Sequence, residues 1–550
     1  MTGPRSIMRY IYYGFAICLL TAGIYFRIYR YSSMPFHNDE AFAANRMSDF
    51  GELIDRLKHE KDATGARSIG YLFIGHVLSE IYNTDYILRL SSLVPGILSL
   101  FLIFLVAREL TQNKLLHLFA LFTAVLQPDL IQYSKVLKAY SLEVFVHLLI
   151  VYLLLRFIKY ATDRYMFWLL LSSLLAVFIT LNIVFILPAV FAVLFMQKIT
   201  EKKLKSALAI FISAAAISAV ILYLYIKIHS VITANDEFMN EWRDYFFQGS
   251  GFSQHLYWLG RRLTDMLHYS IFSREGYPLM PASNLVLLGL FYLSGIAGCF
   301  LRKKYGHLLI LLLPVILAAG FNPARKWPIG YSRINVFMFA YFLSGLILGA
   351  DFLLKKKGFK LLTYAAVLFF SFAVFPRQPK ALNELFAGYD EQNITGCMDY
   401  LLSDREMSRL PGRTTLCING FSYTPLQYYR NHHAKLKIKY GRFLDKYFDV
   451  VSFRDPTGDM RNSDLPVDDS LAPRNDFTKD MDKISREHYE VLFIYYHREE
   501  INRKLFEEYL PAYFAVLRKK NILKDADLYY CKSLNYGRAG KGKRTYKKPL

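Results

Sequence analysis

Asp39 and Glu40 stand side by side in the stretch Met34-Pro35-Phe36-His37-Asn38-Asp39-Glu40-Ala41-Phe42, directly after the first apolar segment. A carboxylate there can take a proton from an attacking hydroxyl or amine. Acids beside a membrane carry a solvation cost, so their position needs a reason. Two plainer readings stand beside the catalytic one: a solvated loop turn, or a helix cap with Asn38 or Asp39 at the N-cap.

A second set lies further along. The pattern starts a helix near Lys135, and on it Tyr140, Glu143 and His147 are spaced i, i+3, i+7 and share a face. A carboxylate and a histidine so close inside a span are rare unless they face a cavity. Bonding to a neighbouring helix is the competing reading. Arg67, Arg89, Lys135, Lys138, Arg325, Lys326 and Arg333 sit at the ends of apolar segments. Arginine pairs bidentately with phosphate, so together they suit an anionic lipid head group. Lys135 and Lys138 could instead snorkel to the interface, and a single arginine could anchor to the lipid surface. Taken together, a carboxylate is available as base and cations are available to stabilise a departing lipid phosphate. A sugar between them would pass through an oxocarbenium-like state.

These residues need a membrane scaffold, and the composition supplies one. The 550 residues are 54% hydrophobic and 16% aromatic, with mean hydropathy +0.20. The net charge of +22 comes from 67 Lys+Arg against 45 Asp+Glu. The basic residues punctuate apolar runs, which suits a polytopic membrane protein rather than a nucleic-acid binder. Apolar runs fall at 10–28, 90–107, 115–132, 137–157, 166–181, 182–197, 206–227, 284–301, 307–321, 334–353 and 359–375. The pair around Asn182 could be one broken or re-entrant unit. Six basic groups then fall on one side: Arg5/Arg9, Arg108/Lys114, Arg156/Lys159/Arg164, Lys198–Lys205, Arg302–Lys304 and Lys355–Lys360. The positive-inside bias puts the N-terminus in the cytoplasm and the C-terminus outside. No small-residue cleavage site follows the first segment, so it reads as an anchor rather than a signal peptide.

The predicted architecture is a polytopic α-helical membrane protein of about eleven transmembrane helices. Residues 1–375 form the membrane part, with outer loops 29–89 and 228–283. Residues 376–536 form a soluble extracytoplasmic α/β domain, and 537–550 a basic, disordered tail. Within the first loop, Glu40–Lys61 has amphipathic spacing and Ser68–Ile81 is apolar and helix-like. Thr414–Asn419 and Glu490–Tyr496 read as buried strands, and the acidic stretch 454–480 as a surface excursion. One disulfide among Cys397, Cys417 and Cys531 is allowed by composition, with the pairing open.

The sequence resembles the GT-C superfamily of polytopic glycosyltransferases, in the branches of protein O-mannosyltransferases and lipid A aminoarabinose transferases. The resemblance rests on Asp39-Glu40 after the first span, on Tyr86–Ala107 (YILRLSSLVPGILSLFLIFLVA) and on Gln132–Leu142. Gly330–Gly345 and Phe421–Arg430 (FSYTPLQYYR) add weaker matches. It implies an inverting transferase that draws a sugar from a polyprenyl- or dolichyl-phosphate donor. Asp39 would be the general base, with Glu40 supporting it or binding the acceptor. Arg67, Arg89, Lys135, Lys138, Tyr140, Glu143, Arg325 and Arg333 would line the substrate. Two positions depart from the family pattern: Lys138 stands where Arg is typical, and Glu143 near where some relatives keep Asp. Metal use differs among relatives. Asp39, Glu40, His37 and Glu143 could supply ligands to a divalent metal, but no tight spacing motif demands one. The expected partners are a lipid-linked sugar donor, membrane lipids and an acceptor glycan, lipid or protein, with no nucleic acid. The expected location is a bacterial cytoplasmic membrane. A transporter or flippase of an anionic glycolipid is the alternative. It would not need a base beside a bulky outer domain, and it should spread acidic groups through the midplane.

Overall fold

The computed structural model describes residues 4–31, 35–49, 51, 69–233, 243–249, 251–272, 282–330, 333–374, 394–403, 414–441, 444, 448–453, 475–488, 490–496, 506–523 and 526–534. Arg67, most of 50–68, the stretch 454–474 and the tail 537–550 lie outside them. The chain forms two compact units. One comprises 1–32, 50–78 and 86–388; the other comprises 33–49, 79–85 and 389–550. The second unit therefore takes in two pieces of the first loop, which the sequence reading assigns to the membrane part.

The first unit is helical. Its helices are α1 (Pro4–Ile28), then, after α2 (Asn38–Ser48) of the other unit and α3 (Ile69–Tyr82), α4 (Leu90–Leu110), α5 (Lys114–Leu126), α6 (Pro128–Lys135) and α7 (Tyr140–Tyr160). They continue as α8 (Asp163–Ile179), α9 (Leu187–Thr200), α10 (Leu204–Thr233), α11 (Phe252–Phe272), α12 (Ala282–Leu301), α13 (Tyr305–Phe321), α14 (Phe339–Leu354) and α15 (Lys360–Val374). A helix lies over each apolar window of the sequence. Among the described residues, four are long and apolar enough to cross a membrane: Ile7–Ile28, Asp85–Leu110, Tyr140–Tyr160 and Arg333–Leu354. A fifth arises if α5 and α6, bent by 53°, form one span.

Local chemistry explains the breaks. Pro128 has no N–H to continue α5, and Gln127 caps the new helix by accepting from the Leu130 amide at 3.0 Å. The next helix starts at Tyr140 and not near Lys135, which instead ends α6. Around Asn182 the chain breaks, as the sequence allowed: α8 ends at Ile179, a 3-10 turn covers Leu181–Phe185, and α9 starts with Pro188 in its first turn. The stretch 228–283, expected as an outer loop, contains helical structure. Helix α10 runs on to Thr233, and the aromatic, basic stretch 252–272 is the amphipathic helix α11. Two glycines set close contacts. A Cβ on Gly96 would lie 2.5 Å from Ser134 Cβ, so only glycine lets α4 lie against α6. A Cβ on Gly349 would lie 1.8 Å from the Phe291 carbonyl, so α14 meets α12 backbone to backbone.

The second unit contains α2, the helices α16 (Ile394–Ser403), α17 (Gly420–Asn431) and α18 (Asn475–Glu487), and a five-stranded sheet. Its strands are β1 (Thr414–Asn419), β2 (Phe448–Phe453), β3 (Glu490–Tyr496), β4 (Phe514–Leu523) and β5 (Ala526–Ser533), in the order β2-β1-β3-β5-β4. β1 is parallel to β2 and β3, while β5 is antiparallel to β3 and β4. The parallel pairs need crossovers, and α17 and α18 lie on those connections. β1 and β3 are nearly continuous apolar runs because they are buried on both faces. β4 is an edge strand and carries Arg518, Lys519 and Lys520, charges that discourage pairing with other chains. Cys397, Cys417 and Cys531 are all free thiols, which corrects the allowance of a disulfide. Cys417 and Cys531 lie on β1 and β5 with β3 between them. Two strand spacings, about 9–10 Å, exceed what a disulfide can bridge.

Candidate functional site

The acidic pair opens α2. His37, extended at φ −80° and ψ 171°, is the N-cap. Glu40 occupies the third helical position and its Oε2 accepts from the His37 amide at 3.4 Å. Its own amide donates to the His37 carbonyl at 3.0 Å. That is the carboxylate half of a capping box. The cap is thus one residue earlier than Asn38 or Asp39, and the acid closes the box instead of opening the helix. The two neighbouring carboxylates thereby differ. Glu40 is 1% exposed, whereas Asp39 is half-buried in the first turn, where the helix dipole favours negative charge.

Several long-range bonds hold α2 within its unit. The Phe36 amide donates to the Tyr429 hydroxyl at 2.7 Å, and that hydroxyl donates to Asp85 Oδ2 at 2.6 Å. At the other end, Asn83 Nδ2 donates to Ser48 Oγ at 2.7 Å, and Ser79 Oγ to the Met47 carbonyl at 3.1 Å. Asn83 Oδ1 accepts from the Tyr428 hydroxyl at 2.9 Å. His433 Nδ1 accepts from the amides of Lys435 and Leu436, so its hydrogen sits on Nε2, 3.6 Å from Asp85 Oδ1. Burial pushes His433 down to about 4, and Lys435 adds to the depression.

In the helical unit, Glu143 and His147 bond to the chain break between α8 and α9. Asn182 Nδ2 donates to Glu143 Oε2 at 2.9 Å. Asn182 Oδ1 therefore only accepts, from Thr180 Oγ1 at 2.6 Å and from His147 Nε2 at 2.8 Å. His147 Nδ1 is left to accept from the Tyr341 hydroxyl. Among the described residues Glu143 has no cationic partner, so the network is made of neutral groups around one acid. The competing reading, bonding to neighbouring elements, describes His147. Tyr140 stands apart from this network, its ring 4.8 Å from that of Tyr133.

The remaining predicted residues lie on several elements of this unit. Arg89 is 1% exposed and Lys135 3% exposed, so Lys135 does not snorkel. Arg89 lies near Tyr31, whose phenol burial pushes up to about 12 against the opposing pull of Arg89. The Lys138 carbonyl accepts from Ser92 Oγ at 2.7 Å, which ties the start of α4 to the link before α7. Arg333 is half-buried and Arg325 exposed, the latter in a left-handed turn at φ 53°. Arg67 lies outside the described residues. One residue without a role in the sequence reading is Arg27. It is 1% exposed and donates to the carbonyls of Gly23 at 3.0 Å and Ala124 at 3.2 Å, near the ends of α1 and α5. Among the described residues, no group of three or more His, Cys, Asp or Glu side chains is arranged to hold a metal ion.

No family model matches the chain, and no curated protein sequence matches it. Solved structures similar to it include ArnT from Cupriavidus metallidurans in the apo state, with TM-score 0.44 and 9% identity over 98% of this chain and 100% of that one. ArnT bound to undecaprenyl phosphate is another, with TM-score 0.43 and 10% identity over 94% and 97%. A third is the archaeal oligosaccharyltransferase AglB from Archaeoglobus fulgidus, in complex with an inhibitory peptide and a dolichol-phosphate. It has TM-score 0.40 and 13% identity over 78% of this chain and 64% of that one. The chain thus spans less than two thirds of the AglB length. Identities of 9–13% leave the activity to be argued from the site itself.

Proposed function

We propose that the protein is a membrane glycosyltransferase that moves a sugar from a polyprenyl-phosphate-type donor to an acceptor on the extracytoplasmic side, with inversion. The observation that carries this reading is the split acidic pair: Glu40 is committed to capping α2, and Asp39 remains half-exposed at the positive end of that helix. In the proposed step Asp39 takes the proton from an acceptor hydroxyl or amine. The acceptor's lone pair forms a bond to the anomeric carbon as the bond to the lipid phosphate oxygen breaks. The electron pair leaves with the phosphate, and the proton stays on Asp39 until solvent removes it. By the resemblance alone, Arg67, Arg89, Lys135, Lys138, Arg325 and Arg333 would be candidates for the donor phosphate, and Tyr140 and Glu143 for the sugar. About eleven spans across a bacterial cytoplasmic membrane, an N-terminus inside and an α/β domain outside complete the proposal. The test is sugar release from a panel of polyprenyl-phosphate sugars by purified protein, wild type beside Asp39→Asn. Turnover of one donor that the variant loses while still binding lipid supports the transferase. Lipid binding with no turnover of any donor favours a transporter of anionic glycolipid instead.

A further inference from the structure

We infer that Tyr429 and Asp85 are positioning residues for the Asp39 carboxylate, a role that rests on reading Asp39 as the base. Tyr429 is fully buried, and its hydroxyl does two jobs: it accepts the Phe36 amide and donates to Asp85. Phe36 immediately precedes the His37 N-cap, so this bond fixes where α2 begins. Phe36 is itself fully buried, its ring 5.1 Å from that of Tyr428. The far end of α2 is tied through Ser48 and Met47 to Asn83 and Ser79. Residues 79–85 therefore grip both ends of one short helix, and Tyr429 is the link at the end that carries Asp39. With both ends tied, sliding or rotation of α2 would break these bonds, and they set the direction of Asp39 in its first turn. Asp85 keeps the Tyr429 hydroxyl hydrogen engaged, so the oxygen lone pairs stay turned to the Phe36 amide. His433 faces the same carboxylate at 3.6 Å, and its ring lies 5.5 Å from that of Tyr429.

Reacting groups lose about a hundredfold in rate when displaced by about 1 Å. Removing the single hydroxyl should therefore lower turnover without weakening donor binding. The experiment uses the full-length protein and the polyprenyl-phosphate sugar that the wild type turns over, with kcat and donor KM measured for Tyr429→Phe, Asp85→Asn and the double variant. The expected result is a 10- to 100-fold fall in kcat for each single variant, on the scale set by misplacement. Donor KM stays within about twofold, and the double variant is no worse than the poorer single, because the two residues act as one unit. If either single variant fails to fold, the other carries the test, and thermal melts separate lost fold from lost rate. Normal kcat with only a lowered melting temperature, or losses that multiply, would overturn the inference. An Asp39→Asn variant that retains turnover would instead sink the reading of the base.

Discussion

The two acidic clusters are built on different principles. In the helical unit, Glu143 and His147 are satisfied by side chains: an asparagine, a threonine and a tyrosine. In the unit with the sheet, Glu40 and His433 each accept from backbone amides, and Asp39 is presented at a helix start. An apolar interior has no water, so each polar side chain there needs a partner of its own kind. At a helix end the backbone itself offers unpaired amides. The first arrangement holds a fixed network together; the second buries one carboxylate of a pair and leaves the other half-exposed.

If that contrast is sound, the largest effect belongs to Asp39. Asp39→Asn should cut turnover by about 10²–10⁴-fold, the usual contribution of a general base, whereas Glu40→Gln, which can still cap, should cost far less. Steady-state rates on one donor decide it, and equal losses would erase the distinction between the two carboxylates. Next comes the network of the helical unit. Asn182→Leu strips partners from Glu143 and His147 together and should destabilise the protein by about 1–3 kcal/mol per stranded group. Unfolding of the purified variant in detergent reads this, and an unchanged midpoint would mean that the network contributes nothing. A smaller effect is expected from pH. Folding holds His433 neutral at about 4 against its ordinary 6.5. The unfolded chain then binds a proton that the folded unit refuses, so the contribution is full above about pH 6.5 and fades as pH falls toward 4. The Asp85 carboxylate opposes this by favouring the charged ring. Melting temperature followed from pH 7 to 4.5 should drop less steeply in His433→Gln; parallel curves would rule His433 out. The smallest effect is none at all. Burial pushes the Cys531 thiol up to about 12 and raises the Cys417 thiol well above its ordinary value. A thiol reagent should leave both unmodified in the native protein, and reductant should not change its melting temperature.

What the sequence revealed depended on how local the signal was. The apolar windows each hold a helix because about 20 consecutive residues report their own burial. β1 and β3 were legible as apolar runs, yet β2, β4 and β5 were not. β4 and β5 mix lysine with apolar residues because one lies at an edge and the other next to it. The Asp39-Glu40 pair stood out by type and place. Its division of labour did not, since the cap depends on His37 adopting an extended backbone. Tyr429 lies in the singled-out run Phe421–Arg430, but its pairing with Asp85, 344 residues away, carries no local mark. Asn182, 39 residues from Glu143, showed only as a polar interruption of an apolar run.

The bond from Phe36 to Tyr429 closes a loop of 393 residues, which bears on how the protein is made. At synthesis rates of about 5–20 residues per second, α2 waits roughly 20–80 s for the tyrosine that will hold it. Throughout that time the helical segments are emerging. The carboxylate proposed as base is thus held in place only after α17 has been made, so a chain still short of Tyr429 would lack a directed base. A fragment starting at residue 389 would in turn lack α2 and residues 79–85, and would expose Tyr428 and Tyr429 to solvent.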